Sequence, residues 1–398
     1  MLCRLCRGKE RTLTNMNNLA AAALKIHQAI QRDFSIDGAI IGPDPGVRFN
    51  YRLWRFLKGY TPWIAWNDGL YYLQCQGYWV MANWLLAENA SDRYAETAVA
   101  ATDQIVRRQR RDGAWDYPNP EWKGRVATVE GTFASFALLE TYRRTGQQAY
   151  LDAALRWHTY FSESIGFQVY RGMTAVNYFA GRPSNPVPNN SSLILRYLAN
   201  LANATGDSSY AEQCEPVVEF LRAVQQPSGE LPYVVDEPRM LHFQCFQYHA
   251  FIYLDTWNYY QMSGDERVVD LLRGVLRFLE GALAPSGYGV YQCSQRYRTV
   301  NYHTAAIATA LHTVHNIGMS VEQVADYRNR AQIAFEYLLK QQAADGSFTH
   351  SRGDYRLICD HRRYPRYLAM MLYHLLTVSR AEEFSGQPLQ TADLRFEI

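Results

Sequence analysis

The 398-residue sequence carries almost no excess charge of either sign. Its 40 Lys and Arg nearly balance 38 Asp and Glu, for a net charge of +2. There is no basic surplus of the kind that marks nucleic-acid or anionic-membrane binding. Long apolar runs are missing too: no segment reaches the roughly 18 consecutive apolar residues of a membrane-spanning helix. The opening stretch MLCRLCRGKERTL lacks the apolar core of a secretory signal, so a soluble, cytoplasmic protein is expected. Cysteine is sparse and dispersed, at positions 3, 6, 75, 214, 245, 293 and 359. An odd, scattered set argues against a disulfide framework, and Cys3-x-x-Cys6 has no second pair with which to complete a metal site.

Tyrosine is abundant, 29 residues beside 9 Trp. Two roles fit. One is aromatic packing between helices. The other is a polar-aromatic cavity, because Tyr and Trp join an apolar face to a hydrogen-bonding edge.

The sequence also repeats itself. QRRDGAW (Gln109 to Trp115) returns as QAADGSF (Gln342 to Phe348), with a shortened relative, QPSGEL (Gln226 to Leu231). Gly113, Gly172, Gly229, Gly287 and Gly346 then mark a period of roughly 58 residues, the sign of a repeat architecture. A second phrase recurs out of phase: TGQQAYLDAA at Thr145, TGDSSYAEQC at Thr205, SGDERVVDLL at Ser263 and, more loosely, NASDRYAETA at Asn89. Here a glycine ends one helix in a left-handed turn and a following polar residue caps the next. Each repeat is therefore a helical hairpin.

Segments such as TFASFALLETYRR and HAFIYLDTWNYYQM are apolar around most of their circumference, as inner helices must be, whereas AYLDAALRWHTYF is amphipathic. Inner helices are expected to start near Tyr71, Thr128, Asn189, Gln247, Asn301 and Tyr364. Outer helices are expected near 92–110, 148–163, 208–225, 266–282 and 321–342, with the N-terminal helix from Asn15 as the sixth. The expected fold is all-α, an (α/α)6 toroid filling residues 15–385. Residues 1–14 and 386–398 are expected to be tails, and 35–70 a long loop over one end of the ring.

The Gln-x-x-x-Gly-x-Trp phrase resembles the repeat of terpene cyclases, whose fold is the α/α toroid. Gln109–Trp115 matches fully and Gln342–Phe348 with Phe for Trp. The same ring serves protein prenyltransferase β subunits, glycosidases, unsaturated-uronide hydrolases, polysaccharide lyases and uronate epimerases. The resemblance implies fold, not chemistry. Cyclase chemistry would need Asp-x-Asp-Asp or Asp-Asp-x-x-Asp, and neither string occurs. An isoprenoid-handling protein is thus the lesser alternative. No cofactor is expected. Zinc is the one metal that the residue types suggest, through Cys359-Asp360-His361 or a set of Cys293, Cys359 and His303, without the family spacing.

A carbohydrate reading rests on the ends of the inner helices. Polar residues stand at each start: Trp66 and Asp68, Glu130, Asn189 and Asn190, Tyr248 and His249, Tyr302 and His303, and Asp360, His361 and Arg363. Trp115, Asp116 and Tyr117 join from the first repeated loop. Converging helix N-termini favour an anionic ligand such as a uronate carboxylate. Tyr248, His249, Tyr302, His303 and Glu130 are the candidate catalytic residues, moving a proton at C5 of the sugar in an epimerase or a lyase. Hydrolysis would use Glu130 with Asp116 or Asp360 as paired carboxylates. Each residue could equally serve the fold by bonding a neighbouring loop, which leaves a non-catalytic glycan-binding ring as a further alternative.

Overall fold

A computed structural model describes residues 2–46, 52–61, 63–89, 91–119, 122, 124–182, 184–314 and 317–384. The helices are α1 (Leu2–Phe34), α2 (Arg52–Tyr60), α3 (Leu73–Asn89), α4 (Asp92–Arg107), α5 (Thr128–Thr145), α6 (Gln148–Tyr160), α7 (Pro188–Thr205), α8 (Cys214–Val224), α9 (Cys245–Ser263), α10 (Val269–Leu279), α11 (Asn301–His312), α12 (Val321–Gln341) and α13 (Pro365–Phe384). Helices α3, α5, α7, α9, α11 and α13 pack in succession, and α13 returns to α3, closing an inner ring. Each has an outer partner: α4, α6, α8, α10 and α12 follow their inner helices, and α1 backs α13. The architecture is the expected (α/α)6 toroid.

The turn chemistry is as the sequence implies. Gly146, Gly206 and Gly264 sit in left-handed conformation at the ends of α5, α7 and α9, each donating its N–H to a carbonyl four residues back at 2.8 Å. Asp207 and Asp265 then cap the short turns that follow.

The loop glycines act on the outer ring. Gly113, Gly229, Gly287 and Gly346 have φ near +90° and lie against the backbone of the next outer helix. A Cβ at Gly113 would meet the Arg156 carbonyl oxygen at 2.3 Å, and one at Gly346 that of Lys25, also at 2.3 Å. Only glycine fits both the conformation and the approach. Gln109 bridges the same junction, donating from Nε2 to its own loop at Gly113 O (2.8 Å) and to Ala153 O of α6 (2.9 Å). Gln342 does likewise to Gly346 O and to Ala22 O of α1.

Two details of the repeat are corrected. In the third copy the bridging residue is Gln225, which reaches Gly229 O and Leu271 O at 3.1 Å each, whereas Gln226 was expected. Gly172 is not in the series. It turns the hairpin of β3 (Phe167–Tyr170) and β4 (Met173–Val176), and nothing approaches it within 4 Å.

The expected loop at 35–70 has structure of its own: a small hairpin of β1 (Ser35–Ile36) and β2 (Ala39–Ile40), and α2. Its later part lies over the start of α13, where Arg362 donates to Thr61 O at 2.8 Å and Trp66 meets Tyr364 edge to face. A three-stranded sheet of β5 (Thr299–Val300), β6 (Ser351–Asp354) and β7 (Ile358–Asp360) shapes the adjoining rim. Residues 2–14, expected to be a tail, continue α1 as helix. Residues 386–398 lie outside the described residues. Among the described residues no helix is long and apolar enough to cross a membrane.

Candidate active site

The inner helices start at one end of the ring, and tyrosines gather there. Several of their rings pack against one another or share a neighbour. Tyr72 meets Tyr117 edge to face at 6.0 Å, and Tyr117 and Tyr178 both pack on Phe179, at 6.4 and 4.5 Å. Tyr178 couples to Tyr233, whose ring lies 4.7 Å from that of Tyr248. Tyr248 couples to Tyr302, which stacks on Tyr367 at 4.1 Å. Tyr117, Tyr178, Tyr233, Tyr248 and Tyr367 are half-buried, and Tyr72 and Tyr302 are buried. Burial raises the phenol pKa values, so at neutral pH the hydroxyls are protonated donors and not bases.

Arg366, in the first turn of α13, closes the circle. Its guanidinium lies over the Tyr72 ring at 4.3 Å, donates to Tyr367 Oη at 2.5 Å and to Gln74 Oε1 at 3.3 Å, and pairs with Asp44 through contacts of 2.9 and 2.7 Å. Asp44 comes from the GPDPG segment preceding α2 and is buried.

Glu130 is the second buried carboxylate. Placed in the first turn of α5, it reaches across to the start of α3. Its Oε2 accepts from Leu73 N at 2.5 Å and Gln74 N at 3.2 Å, while Oε1 is buried with no hydrogen-bond partner. Burial pushes its carboxyl up to about 7, against the pull of Arg366 and the two backbone donors, with Asp44 adding a smaller upward push. A carboxyl that titrates near neutrality can both take and return a proton.

The other catalytic candidates are placed differently. Both ring nitrogens of His249 are engaged, Nε2 accepting from Leu231 N at 2.7 Å and Nδ1 donating to Cys245 O at 2.5 Å. Burial lowers its pKa to about 4. Its partner Tyr248 faces the opening. His303 stacks on Tyr291 at 5.4 Å, its Nδ1 has no partner, and burial with nearby Arg298 holds it well below 6.5. Tyr302 is buried, stacks on Tyr367 and donates to Gln247 Oε1 at 3.3 Å.

The binding candidates divide between two clefts on either side of the 66–70 segment. Trp66, Asp68, His361 and Arg363 line one of about 510 Å³. Trp115, Asp116 and Tyr117 line the other, of about 310 Å³. Trp66 donates to Asp68 at 2.7 Å, and Trp115 is a core residue that donates to Ile105 O at 3.0 Å. Asp116 is exposed on Arg110, and Arg363 ties Asp33 to Asp345. Asp360 is buried and accepts from Tyr364 Oη and Arg362 N. The carboxylate charge that bears on Glu130 is that of Asp44, which adds to the upward shift. Asn190 is buried with Nδ2 unpartnered, and Asn189 is half-buried beside it at the start of α7. Among the described residues no three His, Cys, Asp or Glu side chains gather as metal ligands. Cys293 lies against Cys245 and not with Cys359 and His303.

No protein-family model matches the sequence, and no curated protein matches it. Solved structures do. A cellobiose 2-epimerase from Bacillus thermoamylovorans superposes with TM-score 0.62 at 12% identity, over 77% of this chain and 88% of its own. A GH76 α-mannanase from Bacteroides thetaiotaomicron gives 0.63 at 10%, over 93% and 97%. An unsaturated glucuronyl hydrolase specific for heparin gives 0.62 at 12%, over 96% and 99%. The likeness is one of fold.

Sequence reasoning missed Arg366, Asp44, Tyr72, Tyr178, Tyr233 and Tyr367. The high tyrosine content was the available signal: seven tyrosines gather at the end of the ring where the inner helices start.

Proposed function

We propose that this protein is a carbohydrate-active enzyme that binds an acidic, uronate-containing glycan in the tyrosine-lined opening and moves a proton through Glu130. The observation that carries this reading is the buried Glu130 carboxyl, titrating near 7 with one oxygen unpartnered, among tyrosines and Arg366. Tyrosine faces suit the C–H faces of sugar rings, and their protonated hydroxyls suit sugar oxygens. Ionised Glu130 takes the C5 proton, acidified by the neighbouring carboxylate, and in an epimerase a protonated tyrosine hydroxyl delivers a proton to the opposite face of C5. In a lyase the C4 substituent leaves instead. The similarity to an epimerase, a mannanase and a glucuronyl hydrolase supports a sugar substrate.

A second reading, hydrolysis, is favoured by one observation: Asp44 and Glu130 are both buried beside Arg366, the two-carboxylate requirement of glycoside cleavage.

The test is an NMR time course of the protein with uronic-acid polysaccharides in heavy water. Loss of the C5 proton signal without cleavage is expected for an epimerase, an unsaturated-sugar signal for a lyase, and new reducing ends without unsaturation for a hydrolase. No change across the panel, with saturable binding retained, would overturn an enzymatic role on these substrates and leave a glycan-binding ring.

A further inference from the structure

The cysteine pattern excluded a disulfide framework but left a different feature, visible only in the fold. Cys245 and Cys293 are 48 residues apart, yet their Sγ atoms lie 3.2 Å from each other. Both are free thiols. Cys245 is buried as the first residue of α9, and Cys293 is half-buried on the loop joining α10 to α11. The two segments are already joined by Gln244 N donating to Gln292 Oε1 at 3.2 Å. Gln244 is held at φ +44°, a conformation rare outside glycine, so the chain is constrained where it enters α9.

We propose that Cys245 and Cys293 form a reversible redox pair that closes to a disulfide across the rim of the opening.

The two sulfurs have distinct roles. Cys293 is the accessible one, and the hydrogen bond from the Cys245 thiol lowers its pKa to about 7, giving it thiolate character at neutral pH. The same contact, with burial, pushes the Cys245 thiol up, so it acts second. With a small-molecule disulfide of the glutathione type as oxidant, the Cys293 thiolate attacks one sulfur and breaks the S–S bond. The expelled thiolate takes a proton. Cys245 then gives up its own proton, attacks Sγ of Cys293 and displaces the second thiolate. The pair loses two electrons, and one disulfide becomes two thiols. Among the other cysteines, Cys75 and Cys214 are buried with raised pKa values and offer no comparable nucleophile.

The bond would fix the start of α9 to the α10–α11 loop. Cys245 O accepts from His249, and Tyr248 stands three residues on, so the constraint bears directly on one wall of the opening. The pairing does not depend on the proposed function.

The native protein is incubated with oxidised glutathione, trapped by alkylation and peptide-mapped. The expected product is a Cys245–Cys293 linked peptide, lighter by the two thiol hydrogens and reopened by dithiothreitol. Cys245→Ser should instead accumulate a glutathione adduct at Cys293, and Cys293→Ser should leave Cys245 unmodified. A stable adduct on Cys293 in the wild-type protein, or no reaction at either residue, overturns the proposal. Should Cys245→Ser fail to fold, the wild-type map and Cys293→Ser still decide it.

Discussion

Two sides of the opening use similar residue types for different ends. On the α9–α11 side, His249 bonds a loop N–H and a helix carbonyl, and His303 stacks on Tyr291. On the α3–α5–α13 side, Glu130 keeps one oxygen unpartnered and Arg366 with Asp44 forms a buried charge pair against the tyrosines. On the first side burial keeps both imidazoles neutral. The second stores charge and a proton site near neutral pH. An unmatched atom alone does not make a residue chemically available: His303 Nδ1 is unpartnered too, but burial keeps that ring neutral, whereas the Glu130 carboxyl is shifted into the neutral range.

Arg366→Ala should have the largest effect. Asp44 would be left buried without its partner, with an expected loss of about 3–5 kcal/mol, measured by denaturant unfolding. Adding Asp44→Asn should restore much of that loss; no restoration would mean that Arg366 acts mainly through its contacts with Tyr72 and Tyr367.

Glu130→Gln separates chemistry from fold. Glutamine keeps an oxygen for the Leu73 and Gln74 N–H groups but cannot exchange the proton, so turnover should fall by about 100-fold or more. The pH dependence sharpens the test. The folded pKa of about 7 lies above the ordinary 4.5. Between those values the folded state keeps a proton that the unfolded state releases, so Glu130 makes stability fall as pH rises through this window. The decrease reaches about 3 kcal/mol, and Glu130→Gln should remove it. An unchanged stability–pH curve would contradict the raised pKa.

His249→Ala probes the opposite side. It leaves the Leu231 N–H without an acceptor, at an expected stability cost of about 1–3 kcal/mol. Once folded, the variant should keep the wild-type pH profile of turnover. His249 itself works in the opposite pH direction from Glu130: with a folded pKa of about 4 against 6.5, it makes stability fall as pH drops through that range. A variant that folds normally but loses turnover would return His249 to the catalytic set.

The ring was legible because its signals are local: a left-handed glycine, a cap and an apolar stripe each lie within a few residues. The site was not, for two physical reasons. Successive helical residues point about 100° apart, so the two members of a Tyr-His pair meet different surroundings: Tyr248 is half-buried against Tyr233, while both ring nitrogens of His249 are engaged. The charge pair joins positions 322 residues apart, and nothing local in GPDPG marks Asp44 as the partner of Arg366. Glu130 was legible as a polar residue at a helix start, but its role in holding the start of α3 was not.

The repeated phrase gives the smallest expected effect and the sharpest structural contrast. Gln109 makes two hydrogen bonds to backbone carbonyls and accepts from Arg156 at 2.7 Å, all on the outer ring and away from the opening. Gln109→Ala should cost about 1 kcal/mol by thermal or denaturant unfolding and leave turnover unchanged. The same change at Gln225 should behave alike, because Gln225 makes the equivalent pair of bonds, whereas Gln226→Ala should have a smaller effect. Gln226 Nε2 reaches only Val224 O, at 3.4 Å. Equal losses at Gln225 and Gln226 would mean that the bridge between loop and outer helix does not hold the repeats together.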